Sequence, residues 1–435
     1  MSLTRIRIAL CAVFAAHGFI FASWAVRVPA VKQQAGASPA ALGLALLGLS
    51  AGAVATMLLA GVLCRRFGSA RMTAVSCALL SASVALPALA RSAAALGLLL
   101  AVFGAAYGCL NVAMNSVAVD VVAALRRPVM PGFHAAWSFG GLAGAALGGL
   151  LAPHLSPEPH LLLIALAGLT VSTAAGRVLL TRTGSLRAAA PLGTVPNGTV
   201  LESAGPESAG PESAGPPNAG PERAEAASES GPGWRRALRT GRMVGLFGVI
   251  ALCAAYDEGA IGDWGALHLR QDLGTSAGLA AAGYAAFALA EACGRLSGTA
   301  LLQRFGRTRV LVTGGLTACA GMLLASLAPV TWLALAGFAA TGLGLANLFP
   351  TVIARAGLLA GATGVALTST LGYTGFLLGP PAIGFLASVA SLRTGLTTLA
   401  FLGLTAAAIA YATRDQSQGL HDRELADSAG RPGRG

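Results

Sequence analysis

Apolar segments long enough to cross a lipid bilayer recur along the whole chain. A membrane-spanning helix needs about 20 mostly apolar residues at 1.5 Å per residue. Backbone groups in hydrocarbon must pair within their own helix, so the sequence predicts an all-α membrane protein with twelve transmembrane helices. The predicted segments are 6–30, 40–63, 72–90, 93–119, 132–153, 160–180, 242–268, 276–301, 309–327, 330–355, 363–390 and 393–412.

The composition supports a membrane location and excludes several functions. Only 11% of the 435 residues are charged, against roughly 25% in a soluble domain. The net charge of +12 comes from arginines scattered among short connectors, so we expect no nucleic-acid partner. The seven cysteines stand singly, without the spacing of a metal or redox motif, and predict no metal or cofactor. Without a P-loop, HExxH or GxSxG motif, the chain is predicted not to be an enzyme.

The arginines also predict the orientation. If the N-terminus is cytoplasmic, most connector arginines lie inside, and Lys32, Arg91, Arg270 and Arg393 remain outside. The positive-inside rule therefore places both termini in the cytoplasm, with the chain in the inner (plasma) membrane.

The segments divide into two groups of six. Between them, ESAGP occurs three times in tandem at 202–216, in a stretch rich in Pro, Gly, Ser and Glu that cannot form a core. We predict an N-terminal half (1–180), a disordered cytoplasmic linker (181–241), a C-terminal half (242–412) and a polar cytoplasmic tail (413–435).

The two halves carry matching landmarks. RFGSAR at 66–71 returns as RFGRTR at 304–309, each between two apolar segments. The other matched pairs are Trp24 with Trp264, Asn111 with Asn347, Gly140 with Gly375 and Gly144 with Gly379. Their offsets drift smoothly along the chain, which indicates a duplication of a six-helix unit with both copies in one orientation. The repeated glycines predict close approach between helices.

These residues resemble the major facilitator superfamily. The stretch GVLCRRFGSAR from Gly61 is similar to the family connector G-x-x-x-D-R-x-G-R-R, with Arg65 at the Asp position and Gln303 there in the second copy. The resemblance implies the family's fold of two six-helix pseudo-repeats, a cavity lined by helices 1, 4, 7 and 10, and alternating access. Four stretches resemble the bacterial branch that includes YbjJ and MosC: SWAVRVP (23–29), NVAMN (111–115), GFHAAWSFGG (132–141) and EGAIGDW (258–264).

Acidic residues interrupt the seventh apolar segment. Asp257 and Glu258 lie near its middle, and a mid-membrane acid costs about 2.5–3.5 kcal/mol on insertion scales. We predict that this pair couples protons or binds solute; the alternative is pairing with a neighbouring arginine. Adjacent helical residues point about 100° apart, so only one is expected to face the cavity.

His17 aligns with Asp257 when the duplication is kept in register. Each precedes its tryptophan, Trp24 or Trp264, by seven residues. We predict that His17 and Asp257 share a proton across the cavity, and that both tryptophans line it. Simple packing of His17 is the alternative.

Charged residues near the helix ends suggest two gates. Arg27 and Asp263 are predicted at the same outer level, where their pairing would help close the external gate; ordinary interfacial positions are the alternative. At the cytoplasmic end, Asp120 is a candidate replacement for the missing motif Asp, with an ordinary solvated helix end as the alternative. It would form an inner gate with Arg65 and Arg66, to which we add Arg304 of the second copy.

Two further sets of polar residues lie within apolar segments. Glu291 and Arg295 stand four residues apart and predict an intrahelical ion pair with a mainly structural role. Asn111, Asn115 and Asn347 are expected to line the cavity or to bond to neighbouring helices.

The function predicted from these features is secondary active transport. We expect a monomer that moves a small sugar- or polyol-like solute together with protons. A proton antiporter exporting amphipathic compounds would use the same residues. A membrane sensor or scaffold that moves no solute is the alternative from another class.

Overall fold

The structure, a computed structural model, describes residues 2–37, 39–152, 154–182, 233–275 and 277–414. Regular secondary structure in these ranges is helical throughout. Most of the predicted linker, and the predicted tail beyond 414, lie outside the described residues.

The described residues of the N-terminal half form seven α-helices. They are α1 Ser2–Ala25, α2 Val28–Gln34, α3 Pro39–Phe67, α4 Ser69–Ser83, α5 Ala93–Leu125, α6 Met130–Leu151 and α7 Pro157–Arg182, with a 3₁₀ helix at Leu86–Leu89. The predicted segment 6–30 is therefore interrupted between Ala25 and Val28. Pro29 explains the break, because proline has no backbone N–H to donate to the Ala25 carbonyl in a continuous helix. Arg27 lies in this break.

In the C-terminal half, seven α-helices lie within the part of the chain that the structure describes. They are α8 Gly233–Gln271, α9 Ala277–Phe305, α10 Arg307–Leu327, α11 Thr331–Leu345, α12 Leu348–Val389, α13 Leu392–Thr397 and α14 Leu399–Ala412. Helix α8 begins well before the predicted boundary at 242, so the described end of the predicted linker is helical. The segment predicted at 330–355 is divided between α11 and α12, since the helix breaks at Asn347.

Helix α12 turns back on itself. Ala360 and Gly361 have non-helical backbone angles, with φ +56° at Gly361. A methyl group on Gly364 would lie 2.0 Å from the Ala356 carbonyl oxygen, whereas residues eight apart in a straight helix are about 12 Å apart. The parts before and after Gly361 are therefore the ends of two predicted segments, 330–355 and 363–390.

Nine helical stretches among the described residues are long and apolar enough to span a membrane. One of them, Thr331–Val389, includes the break at Asn347 and the reversal at Gly361. The all-α membrane prediction is confirmed, while the count of twelve transmembrane helices stays a prediction.

Both RFG turns have the same conformation. Gly68 and Gly306 have φ +89° and +77°, which glycine tolerates best, and each ends one helix and starts the next. The Arg66 guanidinium lies 5.4 Å from the Phe67 ring centroid, and Arg304 lies at the same distance from Phe305. We call the end of the bundle with residues 66–68 and 304–306 the RFG end, and the opposite end the Arg27 end.

Each half has its own buried core. One core is formed mainly by α1 and α3 to α7, and the other by α8 to α14. Ile353, Val365 and Ala366 of α12 belong to the first core although they lie in the second half. Helix α12 therefore joins the halves.

Candidate functional site

A group of polar side chains joins the halves in the middle of the bundle. Tyr373 of α12 donates its hydroxyl to Tyr107 of α5 at 3.2 Å, and the Asn111 amide donates to the Tyr373 hydroxyl at 3.2 Å. The His17 ring stacks on Tyr107 with centroids 4.0 Å apart. These four residues are the hydroxyl cluster.

Arg295 of α9 forms a second junction between the halves. Its Nη2 lies 2.6 Å from Glu291 Oε1 and 3.9 Å from Glu258 Oε2. Its Nη1 donates to Ser138 Oγ of α6 at 2.6 Å, and its guanidinium lies 5.9 Å from the Trp137 ring centroid. These five residues are the Arg295 cluster, in which one cation faces two carboxylates.

His134 and Asn115 lie between these two clusters. Asn115 donates its amide to the Asn111 carbonyl at 2.8 Å, so its side-chain oxygen faces His134 Nε2 at 3.3 Å. Because that oxygen only accepts, His134 Nε2 is the donor. The His134 carbonyl in turn accepts from Ser138 of the Arg295 cluster. The hydroxyl cluster, this link and the Arg295 cluster together are the central polar layer.

The structure places six predicted residues in this layer and the others elsewhere. The six are His17, Asn111, Asn115, Glu258, Glu291 and Arg295. The remaining cavity candidates contact their own half: Trp24 meets Phe103 edge-on with centroids 6.5 Å apart, Trp264 packs against Gly384, and Asn347 donates to the Gly294 carbonyl at 3.0 Å.

His17 and Asp257 are not hydrogen-bonded partners in this conformation. Both ring nitrogens of His17 are buried without a partner. Asp257 is 1% exposed, its Oδ1 has no partner, and it interacts electrostatically with Cys253 and Cys319 of its own half. Of the two adjacent acids, Glu258 faces Arg295 while Asp257 lies in the core of the C-terminal half.

Arg27 and Asp263 do not form an ion pair within the described residues. Arg27 is buried and donates from Nε to His160 Nδ1 at 2.7 Å, and from Nη1 to the Leu155 carbonyl at 3.0 Å. Asp263 is exposed. The predicted pairing of Arg27 with Asp263 as an external gate stays a prediction, for a conformation in which the external side is closed.

The halves are in contact at the RFG end. Arg65 donates to the Thr363 hydroxyl, and Thr299 donates to the Pro128 carbonyl at 3.1 Å. Gly61 packs against Ala366. These contacts cross between α3 and α12 and between α9 and the start of α6, so they close this end.

The other predicted gating residues lie near these contacts. Asp120 is exposed at the same end and interacts electrostatically with Cys64, next to Arg65. Arg66 and Arg304 stack on the phenylalanines that follow them. Of the proposed set, Arg65 makes a hydrogen bond between the halves.

Tyr107 and Tyr373 were missed by the sequence analysis, which concentrated on charged residues and amides. The signal that would have found them is a tyrosine within a long apolar segment, because a buried phenol usually requires a hydrogen-bond partner.

Two helical halves, each with its own core and joined through a polar layer in mid-bundle, define a polytopic membrane carrier. The chain belongs to the Major Facilitator Superfamily, whose family model matches residues 9–257 and 247–430. The predicted family and fold are confirmed, and the protein is a multi-pass membrane transporter of this family.

Similar sequences include two bacterial proteins. An uncharacterized MFS-type transporter of Yersinia pestis is 33% identical over 91% of this chain and 92% of its own length. Membrane protein MosC of Rhizobium meliloti is 28% identical over 91% of this chain and 86% of its own length. The predicted likeness to MosC is thereby confirmed.

Similar solved structures include three transporters of known solute class. The outward-conformation structure of FucP has a TM-score of 0.67 at 17% identity, covering 93% of this chain and 97% of FucP. The proton:xylose symporter XylE has a TM-score of 0.68 at 12% identity, covering 94% of this chain and 95% of XylE. The human organic anion transporter MFSD10 has a TM-score of 0.70 at 13% identity, covering 94% of this chain and 99% of MFSD10. At these identities the likeness shows the fold alone.

Proposed function

We propose that the chain moves a polar, uncharged solute with several hydroxyl groups, sugar- or polyol-like, together with protons by alternating access. The hydroxyl cluster is the observation that carries this proposal. Tyr107, Tyr373 and Asn111 bond to one another across the halves through neutral groups that donate and accept. A solute hydroxyl does both, so it can replace any of these bonds without leaving a buried group unpaired.

The Arg295 cluster supports proton coupling. Two carboxylates and one guanidinium leave one negative charge in excess, which is costly away from water. A proton on Glu258 removes it. Glu258 is the better candidate because it is 3.9 Å from Arg295 with its side chain 23% exposed, whereas Glu291 is 2.6 Å away and 6% exposed. Glu258, rather than the core residue Asp257, is therefore our proposed coupling acid.

The fold is compatible with this function and with others. FucP is described as a fucose:proton symporter, and XylE as a proton:xylose symporter. The similar fold of an organic anion transporter means that the solute must be identified by experiment. We further propose a monomer in the plasma membrane with both termini in the cytoplasm.

The test is proton and solute movement in reconstituted vesicles. Sugars, polyols, amines and hydrophobic cations are presented in turn to wild type, Glu258→Gln and Asp257→Asn. We expect a neutral polyhydroxy solute to drive protons inward. Glu258→Gln should lose proton movement but keep solute exchange, and Asp257→Asn should retain coupling. Tyr373→Phe should weaken solute binding because the solute loses the Tyr373 hydroxyl as a hydrogen-bond partner.

Other outcomes identify the alternatives. Proton efflux triggered by cations would establish an antiporter. Silence across the panel, with folded protein, would favour a sensor or scaffold. Loss of coupling in Asp257→Asn but not in Glu258→Gln would contradict our choice of acid.

A further inference from the structure

Arg27 is a buried cation held by neutral groups. It is 3% exposed, in the break between α1 and α2. His160 Nδ1, the Leu155 carbonyl and, at 3.5 Å, the Ala152 carbonyl accept its hydrogen bonds, and its Nη2 is buried without a partner. Among the described residues, no carboxylate lies within 4.0 Å of it.

The hydrogen bond from Arg27 determines where the proton of His160 lies. A guanidinium nitrogen only donates, so Nδ1 must present its lone pair and the ring proton is on Nε2. A second proton at Nδ1 would remove that lone pair and place two cations in contact. Protonation of His160 and the present position of Arg27 therefore exclude each other.

We propose that His160 is a proton-sensitive positioning residue for Arg27. Protonation at His160 Nδ1 breaks the hydrogen bond from Arg27 Nε and places a cation against the guanidinium, which then exchanges its Leu155 and Ala152 carbonyl acceptors for the carboxylate of Asp263 on α8. This ion pair draws the two halves together at the Arg27 end. The inference rests on the proposed function, because it supplies a proton-driven step of alternating access. In the predicted orientation this end faces outside, so external acid would close the carrier.

The surroundings of His160 leave Arg27 as the charged group in contact with its ring. Gly148 of α6 lies beside the ring. The nearby ends of α1, α4 and α6 and the 3₁₀ helix Leu86–Leu89 carry no charged residue. Beyond them, Lys32 lies on α2, and exposed Arg91 follows the 3₁₀ helix by two residues. On α7 itself, Glu158 is exposed two residues away, and His154 in the preceding connector is also exposed.

Another histidine at the Arg27 end belongs to the C-terminal half. His268 Nδ1 lies 2.6 Å from Asp272, and Nε2 lies 3.1 Å from the Ala325 carbonyl. Its separate partners allow the effects of the two histidines to be distinguished.

The experiment measures a distance across the Arg27 end. Nitroxide labels are attached at exposed Gln33 of α2 and exposed Gln271 of α8. Genetically encoded ketone residues at these two positions carry the labels, so that the seven native cysteines are not labelled. Double electron–electron resonance is recorded in nanodiscs without solute, at a pH above a histidine's ordinary pKa of about 6.5 and at a series of pH values that extends well below it. In wild type, acid should shift the population to shorter distances.

Variants determine whether His160 is responsible. His160→Gln keeps an acceptor for Arg27 but cannot be protonated, so the long distance should persist at both pH values. His160→Arg carries a cation that does not lose its proton, so it should give the short distance at both pH values. Misfolding of the glutamine variant would not produce this change. Asp263→Asn should abolish the shortening. His154→Gln and His268→Gln are controls and should respond as wild type does.

An unchanged distance in wild type, or acid shortening that survives in His160→Gln, overturns the proposal. The readout needs neither solute nor flux. If transport is not coupled to protons but the distance still depends on His160, only the proposed symport is rejected. If transport is coupled to protons but the distance does not change with pH, only the role of His160 is rejected.

Discussion

Arg295 is the residue on which the charge balance of the central polar layer depends. The i, i+4 spacing predicted its pair with Glu291, and the structure has that ion pair at 2.6 Å. Its additional contacts with Glu258 of α8 and Ser138 of the other half change its expected role from a local support to a junction between halves. No local pattern predicts this, because both partners come from other helices.

Replacing Arg295 should be strongly destabilising. Arg295→Met leaves Glu291 buried without its cation, and breaking a buried ion pair costs about 3–5 kcal/mol. The thermal unfolding midpoint in detergent should fall well below that of Arg309→Met, which removes an exposed arginine. The double variant Glu291→Gln/Arg295→Gln should recover much of the loss. A midpoint for Arg295→Met equal to wild type would refute the buried pair.

At the scale of helices, the repeated glycines behave as predicted by their spacing. Gly140 and Gly144 of α6 lie against the backbone of α1, and Gly375 of α12 lies against the backbone of α8 in the same way. The spacing of small residues is a local property, so the sequence revealed it. The breaks at Arg27 and Asn347 were missed, because mean hydropathy does not register a short interruption.

Adding a methyl group at one such contact should separate the helices. In Gly144→Ala the new Cβ would lie 2.3 Å from the Phe19 carbonyl oxygen, which must move. Overpacking of this kind costs about 1–3 kcal/mol. Gly149→Ala on the same helix has nothing within 4 Å and should match wild type in the same thermal measurement. Equal midpoints for both variants would exclude a close α1–α6 contact.

The RFG turns should be equally intolerant of a side chain. Gly68→Ala and Gly306→Ala each force a non-glycine residue to a positive φ, at a cost of about 1–3 kcal/mol. Both should lower the unfolding midpoint, while Gly245→Ala, in helix α8 with open space around it, should not. A neutral effect at either turn would show that its conformation is not required.

At the scale of the whole molecule, the halves are joined in the middle and at the RFG end. Thr363 and Thr299 supply hydrogen-bonding hydroxyls at two separate crossings. These bonds stabilise only the conformation that is closed at the RFG end. Their loss therefore favours the conformation in which that end is open.

Removing these hydroxyls should therefore shift the conformational equilibrium. In Thr363→Val/Thr299→Val, spin labels at exposed Arg127 and Gln303 should show a larger population at long distance. Thr374→Val is the matched control, since its hydroxyl bonds to the Thr370 carbonyl of its own helix. An unchanged distribution in the double variant would mean that apolar packing, such as Gly61 against Ala366, closes this end without them.

The sequence by itself determined the membrane class, the division into two similar halves and the family. These follow from apolar segment length, from repeated landmarks and from local motifs, which are readable along the chain. Tertiary structure alone decided that Glu258 rather than Asp257 faces the polar layer, that Arg27 is held by His160, and that Tyr107 meets Tyr373 across 266 positions. The physical reason is that a buried polar group takes its partner from whichever helix packs beside it, and helix neighbours are set by packing of the whole bundle.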